Sequence, residues 1–366
     1  MQVRGIVWIG VTLCAALAFG QDCTRDVGLV LSGGGAKGAY EVGVWQAIYE
    51  AEAVGRIGAI SGTSVGSINA TLFASVSDTR ICERFWLEVV PYFCKPKSDL
   101  SEVMGVEKEE GIVAIKDRLM EEKAKQFGLK VSDLSAADEE EALAAAVREW
   151  KRKASIHAMN VVADGIESFM STNDVLVGFA DGDNFRSLLA ERIPDKWAFD
   201  HVSVYATAVE KGAWRKAVFR VDKQPKERIL DILIASSGIP CLYDSQNVYG
   251  KLYIDGGWEA KGGDNVPIAP ILDNHPEIKT IIVVYLVDET SINPMQRDRV
   301  RRAARRNNVR LIEILPSEYM GGMAATFDNR PETARRLIEL GRKDARKVLA
   351  EAGIGFEAGQ PPDSAK

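Results

Sequence analysis

Apolar residues along the chain fall into two kinds of run, short continuous ones and longer ones with helical spacing. DVGLVL (26–31) is short and β-rich, which predicts a strand, and AYEVGVWQAIYEAEAV (39–54) has the spacing of a helix. The same order recurs in RIGAI (56–60) and SINATLFASV (67–76). Strands that alternate with helices in this way predict an α/β fold with a mainly parallel central sheet covered by helices.

The second half of the chain continues both signals. KTIIVVYLV (279–287) is the clearest strand, because it is continuously apolar and β-branched, as strands buried on both faces are. ERILDILIASSGIP (227–240) predicts a helix that Pro240 stops, and PETARRLIELGRKDARKVLAEAG (331–353) predicts an amphipathic helix. Further strands are predicted at 201–210, 217–221, 251–257, where the strand runs into a glycine turn, and 309–316.

One segment interrupts this pattern. Residues 101–160 are rich in Glu, Lys and Ala, which predicts a helical insertion within a domain that spans 26–352. Two roles stay open for the insertion, a lid over a site and a solvent-exposed helical pair. Residues 353–366 contain Gly, Pro and Ser and predict a disordered tail.

An export signal is predicted at residues 1–20. Arg4 precedes an apolar run over 6–18, and Ala18-Phe19-Gly20 fits a small-x-small cleavage site. The run is too short for a comfortable membrane span, although an uncleaved anchor helix is the alternative. We therefore expect a secreted protein with a periplasmic or extracellular location.

Export would place four cysteines in an oxidising compartment. These are Cys23, Cys82, Cys94 and Cys241, which allow three complete pairings. Cys82 and Cys94 are the local candidate pair, and four buried thiols are the alternative. The spacing contains no CxxC and no zinc-type pairs, so we expect no metal site.

Charge narrows the range of partners. The formal net charge is −6 and the sequence pI is about 5.4, which argues against nucleic acid because phosphate binding needs a basic surface. Two stretches could instead meet a membrane surface, the aromatic RFWLEVVPYF (84–93) and the basic RDRVRRAARR (297–306). For each, the competing interpretation is structural: core packing for the first and a solvated helix face for the second. The arginines in question are Arg301, Arg302, Arg305 and Arg306.

Three glycine-containing turns carry the candidate chemistry, and each follows a predicted strand. The first, Gly33 to Gly38, matches GxGxxG, but the dinucleotide fingerprint also needs a carboxylate at the end of the next strand, and none is present there. The other use of such a loop is a set of backbone N–H groups that bind an anion, either a phosphate or a developing oxyanion.

The second turn is Gly62-Thr-Ser64-Val-Gly66. A GxSxG sequence between a strand and a helix predicts a nucleophile elbow, in which the flanking glycines leave room for a sharp turn. A serine hydroxyl is a poor nucleophile at neutral pH and needs a base.

The third turn, Asp255-Gly256-Gly257, supplies one candidate base. A carboxylate at the carboxyl end of a strand lies in the crevice where α/β sheets place their sites, and a desolvated Asp can accept the serine proton directly. His275 is the alternative base, since Ser64, Asp255 and His275 follow the chain order of an α/β-hydrolase triad. His275 lies in the polar turn DNHPEIK, which favours a surface position.

Together, SGGGAKG, GTSVG and DGG resemble, in this order, the motifs of the patatin-like phospholipases. ASSGIPCLY (235–243) and TARRLIELGRKDARKVL (333–349) also resemble family segments. The resemblance covers residues 26–352 apart from the insertion, and it implies a patatin-like fold, related to the α/β-hydrolases. It also implies a lipid acyl hydrolase that uses a Ser–Asp dyad and no metal or organic cofactor.

The resemblance also implies roles for individual residues. Ser64 would be the nucleophile and Asp255 the general base, and the N–H groups of Gly33, Gly34 and Gly35 would form the oxyanion hole. The supporting positions would be Lys37, Gly38, Gly62, Gly66, Gly256 and Gly257. The expected substrate is a phospholipid or lysophospholipid at a membrane surface, and the need for a protein activator stays open. The alternatives are a conventional Ser-His-Asp esterase, a nucleotide-binding module and a non-catalytic lipid-binding protein.

Overall fold

The structure is a computed structural model that describes residues 24–92, 108–147, 149, 182–193, 197–240, 242–322 and 324–355. The predicted export signal, most of the predicted tail and three of the cysteines, Cys23, Cys94 and Cys241, lie outside these ranges. The chain divides into two compact units. One comprises Met1–Cys94, Gly182–Ile239 and Ser245–Lys366, and the other comprises Lys95–Asp181 and Pro240–Asp244.

Eight strands of the described residues form one sheet in the larger unit. They are β1 (Val27–Leu31), β2 (Ile57–Thr63), β3 (Ser203–Glu210), β4 (Arg215–Arg220), β5 (Gln246–Val248), β6 (Lys251–Asp255), β7 (Thr280–Val284) and β8 (Arg310–Ile314). Their order is β5-β6-β3-β2-β1-β7-β8, with β4 paired to β3. Strands β3, β2, β1, β7 and β8 pair in parallel, whereas β4, β6 and β5 pair antiparallel. The α/β class and the mainly parallel sheet are therefore confirmed.

The helices of the larger unit cover both faces of the sheet. They are α1 (Ala39–Glu50), α2 (Val65–Ser75), α3 (Thr79–Val89), α6 (Gly182–Arg192), α7 (Lys226–Ser237), α8 (Ala269–Asn274), α9 (Pro294–Arg306) and α10 (Pro331–Glu351). Helices α1, α2, α3, α6, α7 and α10 share one apolar core with the sheet, and α8 and α9 pack on the other face. Both faces of β1, β2 and β7 are consequently buried.

Helices α1 and α10 approach each other closely through two glycines. A Cβ on Gly43 would lie 1.9 Å from the carbonyl oxygen of Ile338, and one on Gly341 would lie 2.0 Å from that of Tyr40. Tyr40 also donates a hydrogen bond to the buried Asp344 at 3.1 Å. The closing helix α10 is thereby fixed against α1, which begins directly after the first glycine turn.

The smaller unit contains the predicted helical insertion. Its described helices are α4 (Lys108–Phe127) and α5 (136–147). Ile115 and Ala146 are buried against each other's helices, and ion pairs such as Lys116 with Glu139 connect the polar sides. The described residues of this segment, 108–147 and 149, thus form two helices joined by a short loop.

Most elements lie where the apolar pattern predicts them, but their ends differ. Helix α1 ends at Glu50, before the predicted limit of Val54, because a short 3-10 turn over Val54–Arg56 leads into β2. Four elements had no counterpart among the predicted ones, namely α3, α6, α8 and β5, of which α8 and β5 are short. Among the described residues, no helix has the length and apolar character needed to cross a membrane.

Candidate active site

Ser64 lies on a one-residue turn between β2 and α2. Strand β2 ends at Thr63 and α2 begins at Val65, while Ser64 itself takes φ 54° and ψ −129°. A positive φ is strained for a residue with a side chain and stores about 1–3 kcal/mol. The turn is tightly packed, since a Cβ on Gly62 would lie 2.1 Å from the carbonyl oxygen of Gly66. This is the geometry of a nucleophile elbow.

Asp255 approaches Ser64 from the opposite direction along the sheet. Strand β4 occupies one edge of β3, so β2 and β6 must share the other edge. On that edge Thr63 pairs with Thr207 and Asp255 pairs with the next residue, Ala208. The two strands therefore end facing each other. Asp255 thus lies at the carboxyl end of its strand, as predicted, and it reaches Ser64 from the opposite direction because β6 runs antiparallel to β3.

The side chains of Ser64 and Asp255 are in direct contact. Ser64 Oγ donates to Asp255 Oδ2 at 2.6 Å, and the N–H of Gly257 donates to Asp255 Oδ1 at 2.7 Å. Only 5% of Ser64 and 7% of Asp255 is exposed. Burial raises the pKa of Asp255 to about 6, against the opposing effect of the two hydrogen bonds. The carboxyl group is therefore ionised at neutral pH but more basic than an exposed aspartate, as a general base requires.

The first glycine turn lies beside Ser64. A Cβ on Gly33 would lie 3.0 Å from Ser64 Cβ and 2.4 Å from Asn265 Oδ1. The N–H of Gly33 already donates to the carbonyl oxygen of Asn265 at 3.2 Å. Among the described residues, the N–H groups of Gly34 and Gly35 have no hydrogen-bond partner. Of the three predicted oxyanion donors, Gly33 is therefore already engaged, and Gly34 and Gly35 remain as candidates.

The first glycine turn has close neighbours at both Gly34 and Gly35. A Cβ on Gly34 would lie 2.7 Å from the side chain of Leu286, and Gly35 takes φ 58° with its Cβ position 2.4 Å from the carbonyl oxygen of Thr326. No larger residue fits at either position without displacement of these neighbours. The turn then enters a short 3-10 segment over Gly35–Gly38 that leads into α1.

Lys37 and Gly38 lie inside this 3-10 segment and face the interior. Lys37 is 6% exposed, and burial lowers the pKa of its ammonium group, partly offset by the charge of Asp288. A Cβ on Gly38 would lie 2.5 Å from a methyl group of Val65, the residue after Ser64. Both positions therefore lie behind the turn, and among the described residues the Lys37 ammonium group makes no hydrogen bond to Ser64 or Asp255.

The glycines of the other two turns also make close backbone contacts. A Cβ on Gly66 would lie 2.5 Å from the carbonyl oxygen of Leu31, and one on Gly256 would lie 2.1 Å from that of Thr207. A Cβ on Gly257 would lie 3.0 Å from Asp255 Oδ1. Side chains here would push apart the strands and turns that bring the serine and the aspartate together.

Ser236, at the end of α7, is a site residue that the sequence analysis did not single out. Its hydroxyl accepts the N–H of Ser64 at 3.0 Å and donates to the carbonyl oxygen of Thr207 at 2.6 Å. Its own carbonyl oxygen accepts the N–H of Gly256 at 3.1 Å. Ser236 thus connects the elbow to the residue after Asp255. The only signal was its place in ASSGIPCLY, a segment noted for family resemblance.

Asp264 and Asn265 form a second connection that the sequence did not reveal. The carbonyl oxygen of Asp264 accepts from Thr63 Oγ1 at 2.6 Å, and its N–H donates to the carbonyl oxygen of Gly256 at 2.7 Å. Asn265 accepts the N–H of Gly33, as described above. Two consecutive residues therefore contact all three turns. No local pattern marks them, because their importance comes from residues far away in the chain.

The alternative base, His275, has other partners. Its Nε2 lies 3.0 Å from the hydroxyl of Tyr205, and its Nδ1 lies 2.7 Å from Glu277 Oε1. Asp255 Oδ2, and not an imidazole, contacts Ser64 Oγ. Burial lowers the pKa of the other described histidine, His201, which precedes β3. The geometry gives no support to a Ser-His-Asp triad.

Comparison with known proteins identifies the family. The model of the family described as patatin-like phospholipase matches residues 29–277, which is more than half of the chain. The chain belongs to the patatin-like phospholipase family. The matched range includes all three glycine turns and the Ser64–Asp255 pair.

Individual relatives match this patatin-like chain over much shorter stretches or at low identity. Lysophospholipase nte1 of Aspergillus terreus is 50% identical over 56 residues, which are 15% of this chain and 4% of the relative. VipD of Legionella pneumophila has a TM-score of 0.40 and 16% identity, over 89% of this chain and 67% of VipD. The type III effector ExoU of Pseudomonas aeruginosa has a TM-score of 0.38 and 16% identity, over 91% of this chain and 54% of ExoU.

The aromatic stretch of this patatin-like chain contributes to its core. Phe85 and Trp86 of α3 are buried, and Trp86 Nε1 donates to Asn69 Oδ1 at 2.7 Å. Cys82, on the same helix, is a buried free thiol, and burial raises its pKa to about 12. The described residues of this stretch therefore favour core packing over a surface that meets a membrane. The free thiol of Cys82 gives no support to a disulfide between Cys82 and Cys94.

The basic stretch forms helix α9, and most of its arginines pair with acidic residues. Arg301 contacts Glu313, Arg302 contacts Asp298, and Arg305 lies 3.9 Å from Asp298. These pairs and the exposure of the three arginine side chains favour the interpretation of a solvated helix face. Among the described residues, no group of three or more His, Cys, Asp or Glu side chains is placed to hold a metal ion.

Proposed function

We propose that this chain is a serine acyl hydrolase that cleaves fatty-acyl esters of phospholipids or lysophospholipids through a Ser64–Asp255 dyad. The observation that carries the proposal is the 2.6 Å hydrogen bond from Ser64 Oγ to the buried Asp255 carboxylate, whose pKa of about 6 suits a base. Membership of the patatin-like phospholipase family supplies the class of reaction.

The reaction would begin with proton transfer from Ser64 Oγ to Asp255 as Oγ forms a bond to the ester carbonyl carbon. The N–H groups of Gly34 and Gly35 would donate to the resulting oxyanion, and one such donor typically contributes about 10²–10³-fold in rate. Asp255 would then give the proton to the leaving alkoxide as the ester C–O bond breaks. An acyl group remains on Ser64.

Water would complete the cycle. Asp255 takes a proton from a water molecule, the hydroxide oxygen attacks the acyl carbonyl, and the same proton returns to Ser64 Oγ as the fatty acid leaves. The position of Ser64 at the start of α2 also favours negative charge at this point, because the positive end of the helix dipole lies there. Each step uses one base and two fixed donors.

Support for the lipid class comes from the family and from one name. The relative in Aspergillus terreus is a lysophospholipase by name, and the shared segment is 50% identical, although this chain spans only 4% of it. We therefore propose a lysophospholipid or phospholipid, presented at a membrane surface, as the substrate. Export through residues 1–20 to the periplasm or the exterior is part of the proposal, and sequencing of the amino terminus of the natural protein tests it.

The decisive experiment measures fatty-acid release from phospholipid vesicles and from a lysophospholipid. Wild type is compared with Ser64→Ala, Asp255→Asn and His275→Ala. We expect the first two variants to lose activity by at least 10³-fold and the third to keep it, because His275 contacts Tyr205 and Glu277 instead of Ser64. Full activity in Ser64→Ala would refute the proposal, and loss in His275→Ala with a folded protein would restore the triad.

A further inference from the structure

The side chain of Asp264 is buried between two cations from different elements. Arg299 of α9 donates to Asp264 Oδ1 at 2.8 Å, and Lys216 of β4 donates to Asp264 Oδ2 at 3.0 Å. The Asp264 side chain is only 7% exposed, whereas those of Arg299 and Lys216 are 43% and 34% exposed. Both carboxylate oxygens are thus fixed from the outer part of the fold.

The backbone of Asp264 is fixed just as firmly from the inside. Its carbonyl oxygen accepts the hydroxyl of Thr63, next to Ser64, and its N–H donates to Gly256, next to Asp255. A movement of the Asp264 backbone therefore changes the positions of both neighbours of the dyad. The adjacent Asn265 extends the same effect to the glycine loop.

We propose that Arg299 and Lys216 are positioning residues that hold the dyad and the glycine loop in register through Asp264, an inference that rests on the proposed hydrolase function. A buried carboxylate that loses one of its two cationic partners moves toward water or draws water in, because its buried charge is then only partly compensated. Loss of Arg299 leaves Asp264 Oδ1 without its partner. The resulting shift of the Asp264 backbone displaces Thr63 and Gly256.

The arginines of α9 have different kinds of partner along the helix. Arg299 contacts the Asp264 carboxylate, whereas Arg302 pairs with Asp298, four residues earlier on the same helix. Removal of either arginine takes one positive charge from the same helix. Arg302→Ala is therefore the matched control for Arg299→Ala.

The test measures turnover per functional active site in Arg299→Ala, Arg299→Lys and Arg302→Ala. A fluorophosphonate that labels Ser64 counts the folded sites, so a loss of stability alone does not lower the value. We expect Arg299→Ala to lower kcat per labelled site by about tenfold with KM little changed, because a displacement of about 1 Å in a reacting group costs about 10²-fold and Lys216 still holds the other oxygen of Asp264. Arg299→Lys should recover most of the loss, and Arg302→Ala should stay within twofold of wild type.

A double-mutant cycle tests whether Arg299 acts through Asp264. Arg299 also lies 3.0 Å from Glu259, so a single substitution removes two contacts. In an Asp264→Asn background, Arg299→Ala should have little further effect on kcat per site. Equal effects of Arg299→Ala in both backgrounds, or equal values for Arg299→Ala and Arg302→Ala, would overturn the inference. Such a result leaves the hydrolase function standing as long as Ser64→Ala is inactive, whereas an active Ser64→Ala variant shows that the function itself is wrong.

Discussion

The raised pKa of Asp255 predicts that Asp255→Asn gains stability while it loses activity. A carboxyl group with a pKa raised from 3.8 to about 6 holds its proton more tightly in the folded chain than in the unfolded chain. The stability that Asp255 contributes is therefore fully present below about pH 4. It is lost as the pH rises through about 6, because the native carboxyl group must then ionise in a buried position. Asparagine has nearly the same shape but does not ionise, so it escapes this loss.

The size of the effect follows from the shift of about two pKa units. At about 1.4 kcal/mol per unit, ionisation of Asp255 lowers the free energy of unfolding by about 3 kcal/mol at pH 8 and by only about 1 kcal/mol at pH 4.5. The stability difference between Asp255→Asn and wild type should grow by about 2 kcal/mol between these pH values. Above pH 7 it should stay constant, because both states of the wild type are then ionised.

Urea unfolding of both proteins at pH 4.5, 6, 7 and 8 measures this difference. Any change in hydrogen bonding to Ser64 or Gly257 adds an offset that is the same at every pH, so the growth with pH is the informative quantity. Asp273→Asn is a matched control that removes one negative charge from an exposed position. A difference that does not vary with pH would show that the pKa of Asp255 is not raised, and the argument for its role as a base would lose its electrostatic support.

The remaining predictions concern kinetics and the core. In wild type, kcat/KM should fall about tenfold per pH unit below pH 6 as Asp255 is protonated, and a profile flat down to pH 5 would contradict this. Glu41 is fully buried, and burial raises its pKa well above 4.5 against the opposing hydrogen bonds from Asn69 and Ser32, so Glu41→Gln should gain stability that grows with pH from about 4.5 upward in urea unfolding. Gly43→Ala should lower the free energy of unfolding by about 1–3 kcal/mol, because its Cβ would lie 1.9 Å from the carbonyl oxygen of Ile338, and an unchanged unfolding midpoint would refute that packing. Cys82 should react with iodoacetamide only after denaturation, as mass spectrometry of its peptide would show.

The alternation of strands and helices was predictable from the sequence because it depends on local patterns. Continuous apolar runs gave the strands that are buried on both faces, such as β7, and helical spacing gave α1 and α10. The elbow at Ser64 was predictable for the same reason, since two glycines and a serine between a strand and a helix restrict the turn through local sterics. Short elements such as β5 carry too few residues for any pattern, and they were missed.

The composition of the glycine loop was predictable, but the availability of its donors was not. A run of three glycines indicates close backbone approach, and the structure shows close neighbours at Gly33, Gly34 and Gly35. Whether an N–H group is free depends on which distant carbonyl oxygen reaches it. Asn265, which accepts from Gly33, is 232 residues away along the chain.

The sequence by itself determined the fold class, the elbow and the types of residue in the candidate site, all of which follow from short-range patterning. Only the tertiary structure decided which base meets Ser64. Asp255 lies 191 residues from Ser64 and reaches it because β2 and β6 end facing each other on one edge of β3. Strand direction, and the burial that raises the pKa of the carboxylate, arise from pairing between distant segments. Such pairing depends on the packing of the whole chain, and no local pattern encodes it.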